Sequence, residues 1–294
     1  MARTWLITGA SRGLGRELGR AVLDSGDNLV ATARRPEQLS DIAARYGDRV
    51  RTVALDVTDA GAAAKAVRTA VEAFGSLDVV ANNAGYANSG PIEETSLAEF
   101  RAQIETNLFG VINVTKAALP VLRGQRSGLF LQFSSVGGRV GGSPGLAPYQ
   151  TAKFGVEGFS EVLANETAPF GVKVVIIEPG GFRTDWGGSS MRVAEVGADY
   201  ADTVGRMHRF RAEADGRQPG DPARAAELIV KVSALPDPPR RLLLGSDALD
   251  LAVESGRSRT AQARGWAEVS RAADYTSTVE LARTPLAGLV AEAD

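Results

Sequence analysis

The feature that most narrows the possible folds is a repeated alternation between short apolar runs and segments with helical spacing. Residues 4–7, 28–33, 50–54, 77–81, 129–133 and 172–177 read as strands with apolar residues on both faces, as expected in a covered parallel sheet. Between them apolar residues recur at helical intervals: Leu14, Leu18, Val22 and Leu23 in one segment, Ile104, Leu108, Val111, Val114 and Thr115 in another, the latter expected to close near Pro120. Repetition of this kind predicts an α/β fold, a doubly wound and mostly parallel sheet flanked by helices.

The pattern changes after Pro179. Residues 180–220 mix Gly-Gly and Ser-Ser with isolated Trp186, Met191, Tyr200, Met207 and Phe210. So long an insertion with scattered apolar anchors reads as a lid, spanning about 182–220, and 187–220 is expected to be mobile. Asp221 and Pro222 then mark a helix over 221–235, the first as N-cap and the second at its first position. Residues 240–244 read as a last strand and 247–274 as one or two polar helices, an extended C-terminal helical tail. A single domain over 1–274 follows, with 275–294, which lack periodicity, as a disordered tail.

Directly after the first apolar run comes Thr8-Gly9-Ala10-Ser11-Arg12-Gly13-Leu14-Gly15, opening a helix. Glycines in this position let backbone N–H groups approach a pyrophosphate at the helix N-terminus, although the spacing Gly-x-x-x-Gly-x-Gly differs from Gly-x-Gly-x-x-Gly. A dinucleotide fold that prefers NAD places an acid at the end of its second strand. Here that strand ends Ala33-Arg34-Arg35, and Arg12 and Arg34 are placed to flank a 2′-phosphate, which favours NADP.

Tyr149 and Lys153 stand one helical turn apart and share a face. A free Tyr titrates near ~10. An ammonium ~4–5 Å away, at an effective dielectric of ~20, favours the phenolate by about 3–4 kcal/mol. That would lower the Tyr149 pKa by roughly two to three units and make it a usable acid–base group. Ser134 and Ser135 end the preceding strand, where a hydroxyl can hydrogen-bond an oxygen beside the phenol.

Composition closes off other chemistries. The chain has 294 residues, no cysteine, one histidine (His208) and a formal net charge of −2. Disulfides, thiol nucleophiles and Cys- or His-rich metal sites are excluded, and no metal is expected. No basic footprint marks nucleic acid or an anionic membrane as a partner. No apolar run approaches the ~18 residues of a membrane span, and the strand-like segment at 5–7 leaves no room for a signal peptide, so a cytoplasmic protein is expected.

Together these residues resemble the short-chain dehydrogenase/reductase superfamily in its single-domain, Rossmann-type branch. Beyond Gly9, Ser11, Arg12, Gly13, Leu14 and Gly15, the pair Asp56-Val57 is similar to the family's acidic pair at the adenine, and Asn82-Asn83-Ala84-Gly85 to its NNAG motif. Asn107, Ser135, Tyr149 and Lys153 match its catalytic tetrad, with a Ser135-to-Tyr149 spacing one residue longer than usual, which leaves Ser134 open. Pro179-Gly180 and Thr184 resemble the turn that borders the nicotinamide, here with an extra Gly181 expected to loosen it.

The resemblance implies an NADP(H)-dependent oxidoreductase of ketoreductase or alcohol dehydrogenase type, interconverting a carbonyl and a secondary alcohol. Tyr149 would be the acid/base and Ser135 would bind the substrate oxygen. Lys153 would lower the tyrosine pKa and hold the ribose, and Asn107 would keep a relay water. The alternatives are a non-catalytic NADP-binding redox sensor and an epimerase or dehydratase. Ile92, Val136, Leu146, Phe182, Trp186, Met191, Tyr200, Met207 and Phe210 are candidate walls for a lipophilic substrate, and Ala152, Gly155 and Gly158 suit the helix packing of a homodimer or homotetramer.

Overall fold

Trp5, Leu6 and Ile7 bury completely, which requires a strand covered on both faces. In the computed structural model, which describes residues 2–186, 191–275 and 277–287, they form β1 (Thr4–Ile7) inside a seven-stranded sheet. Its other members are β2 (Asn28–Ala33), β3 (Val50–Ala54), β4 (Val79–Asn82), β6 (Gly128–Phe133), β7 (Val172–Pro179) and β9 (Arg241–Leu244). The order is β3-β2-β1-β4-β6-β7-β9, and every neighbouring pair is parallel. A separate parallel pair joins β5 (Ala87–Ser89) to β8 (Met191–Val193).

Parallel strands need crossovers, and helices supply them. The connections carry α1 (Gly13–Asp24), α2 (Ser40–Tyr46), α3 (Ala60–Phe74), α4 (Leu97–Ile104), α5 (Gly110–Gln125), α6 (Val136–Val140), α7 (Ala147–Thr167), α8 (Arg206–Ala214) and α9 (Pro222–Ser233), and α10 (Ser246–Gly265) and α11 (Ala267–Arg271) follow the last strand. The period of two along β1 divides the core: Trp5 and Ile7 pack with Leu18, Val22, Ala225 and Ile229. Leu6 points the other way, to Val67, Val114, Leu122 and Leu163. The sheet is therefore doubly wound.

Several expectations shift in detail. The strand expected over 77–81 begins at Val79, because the Leu77 backbone bonds the Gln125 side chain on both sides instead of a neighbouring strand. The helix expected to close near Pro120 runs on to Gln125. A proline inside a helix costs about 3 kcal/mol, and the complete burial of Leu122 two residues later works against that cost. β5 and β8 were not legible, being three residues long each. Asp221 caps α9 as expected, accepting from Ala223 N and Arg224 N.

The segment read as a lid carries β8 and α8, and its ends meet in a bridge between Phe182 and Gly220. The fast exchange expected over 187–220 includes residues 187–190, which lie outside the described residues. Gly155 accommodates Leu108 of the same chain, since a Cβ there would stand 2.7 Å from its Cδ2. By contacts the chain divides into Met1–Ala248 and Leu249–Asp294, earlier than the boundary read at 274. Part of the tail expected over 275–294 lies outside the described residues. No described helix is long and apolar enough to cross a membrane.

Candidate active site

The chain leaves β1 towards β2 and β3, then returns to the other side of β1 with β4. At such a reversal the loops beyond the strand ends splay apart and open a crevice. Here it is a cleft of about 980 Å³. Of the residues quoted above for the nucleotide only Thr8, Ala10, Gly15 and Asn82 are not on its wall, and of the catalytic candidates only Asn107 is not.

Gly15 serves from behind. A Cβ on it would fall 2.3 Å from Asn83 Nδ2 and 2.4 Å from Gly9 O, so only glycine lets the first turn of α1 close against the β4 end. Gly9 adopts a φ of 66°, and a Cβ there would meet Ala84 Cα at 2.9 Å. Asn83 ties the two loops by donating from Nδ2 to Thr8 O (2.9 Å) and Gly9 O (3.2 Å). Its neighbour Asn82 turns into the sheet and donates to Thr115 Oγ1 and Gln132 Oε1.

Arg12 and Arg34 are exposed on the wall. Asp56 accepts from Thr58 N (3.0 Å) and Thr58 Oγ1 (2.8 Å), so it caps its own turn as well as lining the cleft. Those bonds, with the Arg34 charge adding, hold its carboxyl below the usual range.

Tyr149 and Lys153 project from α7 and are 7 % and 4 % exposed. Their electrostatics differ from the expectation. Burial pushes the Tyr149 phenol up to about 12, partly countered by a hydrogen bond with the Ser135 hydroxyl. Lys153 Nζ lies 5.8 Å from the tyrosine ring centroid and donates to Phe133 O at 2.6 Å. The expected lowering of the tyrosine pKa by this lysine is therefore not what the geometry gives: desolvation outweighs it. Burial also brings Lys153 down to about 8, against the opposing charge of Glu157 one turn on. Behind them Glu178, fully buried, pairs with Arg139 (3.1 Å) and Arg241 (3.3 Å).

Ser135 caps α6, accepting from Gly137 N at 3.1 Å, and faces Tyr149. The Ser134 hydroxyl points into the interior at Lys153 O. Both serines line the cleft, and Ser135 is the one that bonds Tyr149. Asn107 sits in a π-helical turn between α4 and α5. Its Oδ1 accepts from Tyr86 N (3.0 Å) and its Nδ2 donates to Tyr86 O (2.8 Å). The side chain clamps the backbone after Gly85.

The turn after β7 is tight, contrary to the loosening expected from Gly181. Gly180 N donates to Leu244 O (2.9 Å) and Gly181 N to Asp247 Oδ2 (2.7 Å). No local motif announced Asp247, which is brought to the turn by the connection after β9.

Of the apolar wall candidates, Leu146, Phe182, Trp186 and Phe210 line the cleft, and the Trp186 ring lies 5.3 Å from that of Tyr149. Met191 packs beneath them with Leu146 and Tyr149. Ile92 is 69 % exposed and Tyr200 turns outward to Glu93, while Val136 and Met207 do not reach the wall. Sequence reasoning missed Arg211 and Ser143–Pro144, which meet at the tyrosine end of the cleft.

Comparison with known proteins agrees with this construction. The chain is 47 % identical over 273 residues to the oxidoreductase BOA17 of Botryotinia fuckeliana, covering 92 % of this chain and 99 % of that one. Its fold matches a short-chain dehydrogenase from Streptomyces avermitilis with a TM-score of 0.86 and 39 % identity, over 93 % of this chain and 98 % of that one. It also matches an alcohol dehydrogenase from Thermococcus sibiricus, complexed with 5-hydroxy-NADP, at a TM-score of 0.68 and 28 % identity, over 83 % and 96 %. The short chain dehydrogenase family model covers residues 3–192. With a Rossmann-type sheet, a glycine-lined crevice at the strand reversal and these relatives, the chain belongs to the short-chain dehydrogenase/reductase superfamily and is an oxidoreductase.

Proposed function

We propose that this protein is an NADP(H)-dependent oxidoreductase that interconverts a ketone and a secondary alcohol. The observation that carries the reading is the joint presence, on one cleft, of the glycine loop and of Tyr149, Ser135 and Lys153. The residues fit a dinucleotide: the approach of backbone to backbone at Gly9 and Gly15 leaves the N–H groups at the start of α1 uncovered by side chains. Gly9, Ser11, Gly13 and Leu14 would hold the pyrophosphate, Asp56-Val57 and Asn83-Ala84-Gly85 the adenosine side, and Pro179, Gly180 and Thr184 the nicotinamide side. When bound, the nicotinamide supplies or accepts the hydride.

The chain's own residues manage the proton. A phenol held near 12 keeps its proton throughout the neutral range, so Tyr149 Oη is poised as the acid that protonates the carbonyl oxygen during reduction. The phenolate this leaves is costly in a buried site, and the Lys153 ammonium balances it. Ser135 Oγ donates to the same oxygen as charge develops there. In oxidation the step runs in reverse: it starts from the Tyr149 phenolate, balanced by Lys153, which takes the proton from the alcohol. Trp186, Phe210 and Leu146 exclude water around it.

NADP is preferred over NAD in this reading because Arg12 and Arg34 are free to meet a 2′-phosphate at the end of β2. The 5-hydroxy-NADP complex of the Thermococcus sibiricus relative points the same way. The test is spectrophotometric: NADPH oxidation against a panel of aliphatic and aryl ketones. Turnover with at least one ketone, faster with NADPH than with NADH, is expected. Nucleotide binding with no turnover across the panel, in either direction, would favour a sensor and overturn the enzyme reading.

A further inference from the structure

A half-buried guanidinium, without a carboxylate partner among the described residues, stands at the tyrosine end of the cleft. Arg211, on α8, donates from Nη1 to Ser89 Oγ (3.0 Å) and from Nη2 to Ser143 Oγ (2.8 Å) and Pro144 O (3.1 Å). All three acceptors are neutral. His208, one turn earlier on the same helix, shares the Ser89 hydroxyl at 2.8 Å. Burial and the Arg211 charge lower the His208 pKa below its ordinary value, and an imidazole carries no negative charge in either protonation state. Burial alone acts on Arg211, with no acid contributing. Asp185 also lines the cleft but is exposed and forms no ion pair with Arg211.

A cation withdrawn from water costs free energy unless a negative charge faces it. Arginine carries five N–H donors, and those not named above have no partner among the described residues. The residue is a wall of the cleft. It belongs to the substrate end: its partners are the residues that lead into α7, and a Cβ on Gly145 would lie 3.7 Å from Nη1. Tyr149 follows one helical turn later, whereas the pyrophosphate loop is built from the β1–α1 connection.

We infer that Arg211 is the counter-charge for a carboxylate on the substrate, and that the protein acts on keto acids or hydroxy acids. The inference rests on the oxidoreductase reading for the carbonyl, though not for the anion. Aromatic and aliphatic walls contributed by Trp186, Phe210 and Leu146 take the apolar body, so the substrate class is an amphiphilic oxo acid with its carboxylate towards α8. The neutral clamp of Ser89, Ser143 and Pro144 fixes the guanidinium in place before the ligand arrives, which reduces the ordering cost of binding.

The probe is a matched pair, 4-acetylbenzoate and its methyl ester. Both are titrated by calorimetry into NADP-saturated protein, and both are tried as substrates with NADPH. Wild type should prefer the acid by roughly 10- to 100-fold, the range of one charge-assisted hydrogen bond to a buried cation. Arg211→Met should erase that ratio and Arg211→Lys should restore part of it. Equal affinity of wild type for acid and ester would overturn the inference. So would a loss in Arg211→Met that falls on both ligands alike and leaves the ratio standing, because that marks a residue that only pins α8. Weaker NADPH binding with an unchanged acid-to-ester ratio would reassign Arg211 to the nucleotide and overturn it too. Selective binding of the acid without turnover of either compound supports the anion site and counts against the oxidoreductase reading instead.

Discussion

Along the wall formed by the β1–α1 connection and the end of β4, the cleft presents backbone. Glycines 9 and 15 let two loops touch, and Asn83 ties them through main-chain carbonyls. Along the other wall, on α7, α8 and the segment after β7, it presents side chains: Tyr149, Lys153, Arg211 and Trp186. Backbone recognition suits a ligand that is constant, because the main chain offers the same donors whatever the neighbouring side chains are. Side-chain recognition suits a ligand that distinguishes this enzyme from its relatives, since each residue can be exchanged without rebuilding the fold. The two walls should therefore respond differently to substitution.

The largest effect that would sharpen this contrast is at the edge of the nucleotide wall, where a side chain does decide. Charge-assisted hydrogen bonds are worth roughly 1.5–3 kcal/mol each, and two of them at Arg12 and Arg34, less desolvation, imply a preference for NADP of about 10²-fold. Arg34→Asp should reverse the preference, measured by titrating both nucleotides at fixed ionic strength because these arginines are exposed. Equal wild-type affinity for the two, or no shift on substitution, would make the coenzyme NAD and remove the exception.

The second effect lies on the side-chain wall and is read by pH. Lys153 sits at about 8, lowered from 10.5 by burial, so its ammonium is present below that value and lost above it. Ketone reduction should be level below about pH 8 and fall about tenfold per unit above it as the charge that balances the phenolate disappears. A profile flat to pH 10 would break the link between the lysine charge and proton transfer.

A smaller effect tests the backbone wall. Gly15→Ala places a methyl against Asn83 Nδ2 and Gly9 O. Overpacking of this kind costs typically 1–3 kcal/mol. A lower melting temperature and weaker nucleotide binding should appear together, with the acid-to-ester ratio unchanged. Unaltered stability would mean that the two loops do not need their close approach.

How much of this was legible follows the same division. The β1–α1 loop, Asn83 and the Tyr149–Lys153 pair lie in short contiguous motifs that local spacing reveals, and the structure brings them to one cleft. The parallel sheet was legible because most of its strands are largely apolar and buried on both faces. Arg211 and Asp247 were not. Each acts through partners far away in sequence: Arg211 through Ser89 and Ser143, Asp247 through Gly181. An isolated arginine or aspartate in a polar helix carries no local mark of that. The sign of the Tyr149 shift was misread for a related reason. Position on a helix gives proximity to Lys153, whereas burial by Trp186, Leu146 and the sheet comes from residues that spacing alone cannot assemble.

Tyr149→Phe tests the central division of labour most directly, because it removes one hydroxyl from the side-chain wall and leaves the backbone wall intact. NADPH affinity, by fluorescence titration, should stay within about threefold of wild type while turnover of the best ketone falls by about 10²–10⁴-fold, the usual contribution of a general acid. A variant that keeps more than about a tenth of wild-type turnover, below the contribution expected of a general acid, or that loses nucleotide affinity in step with turnover, would contradict the account.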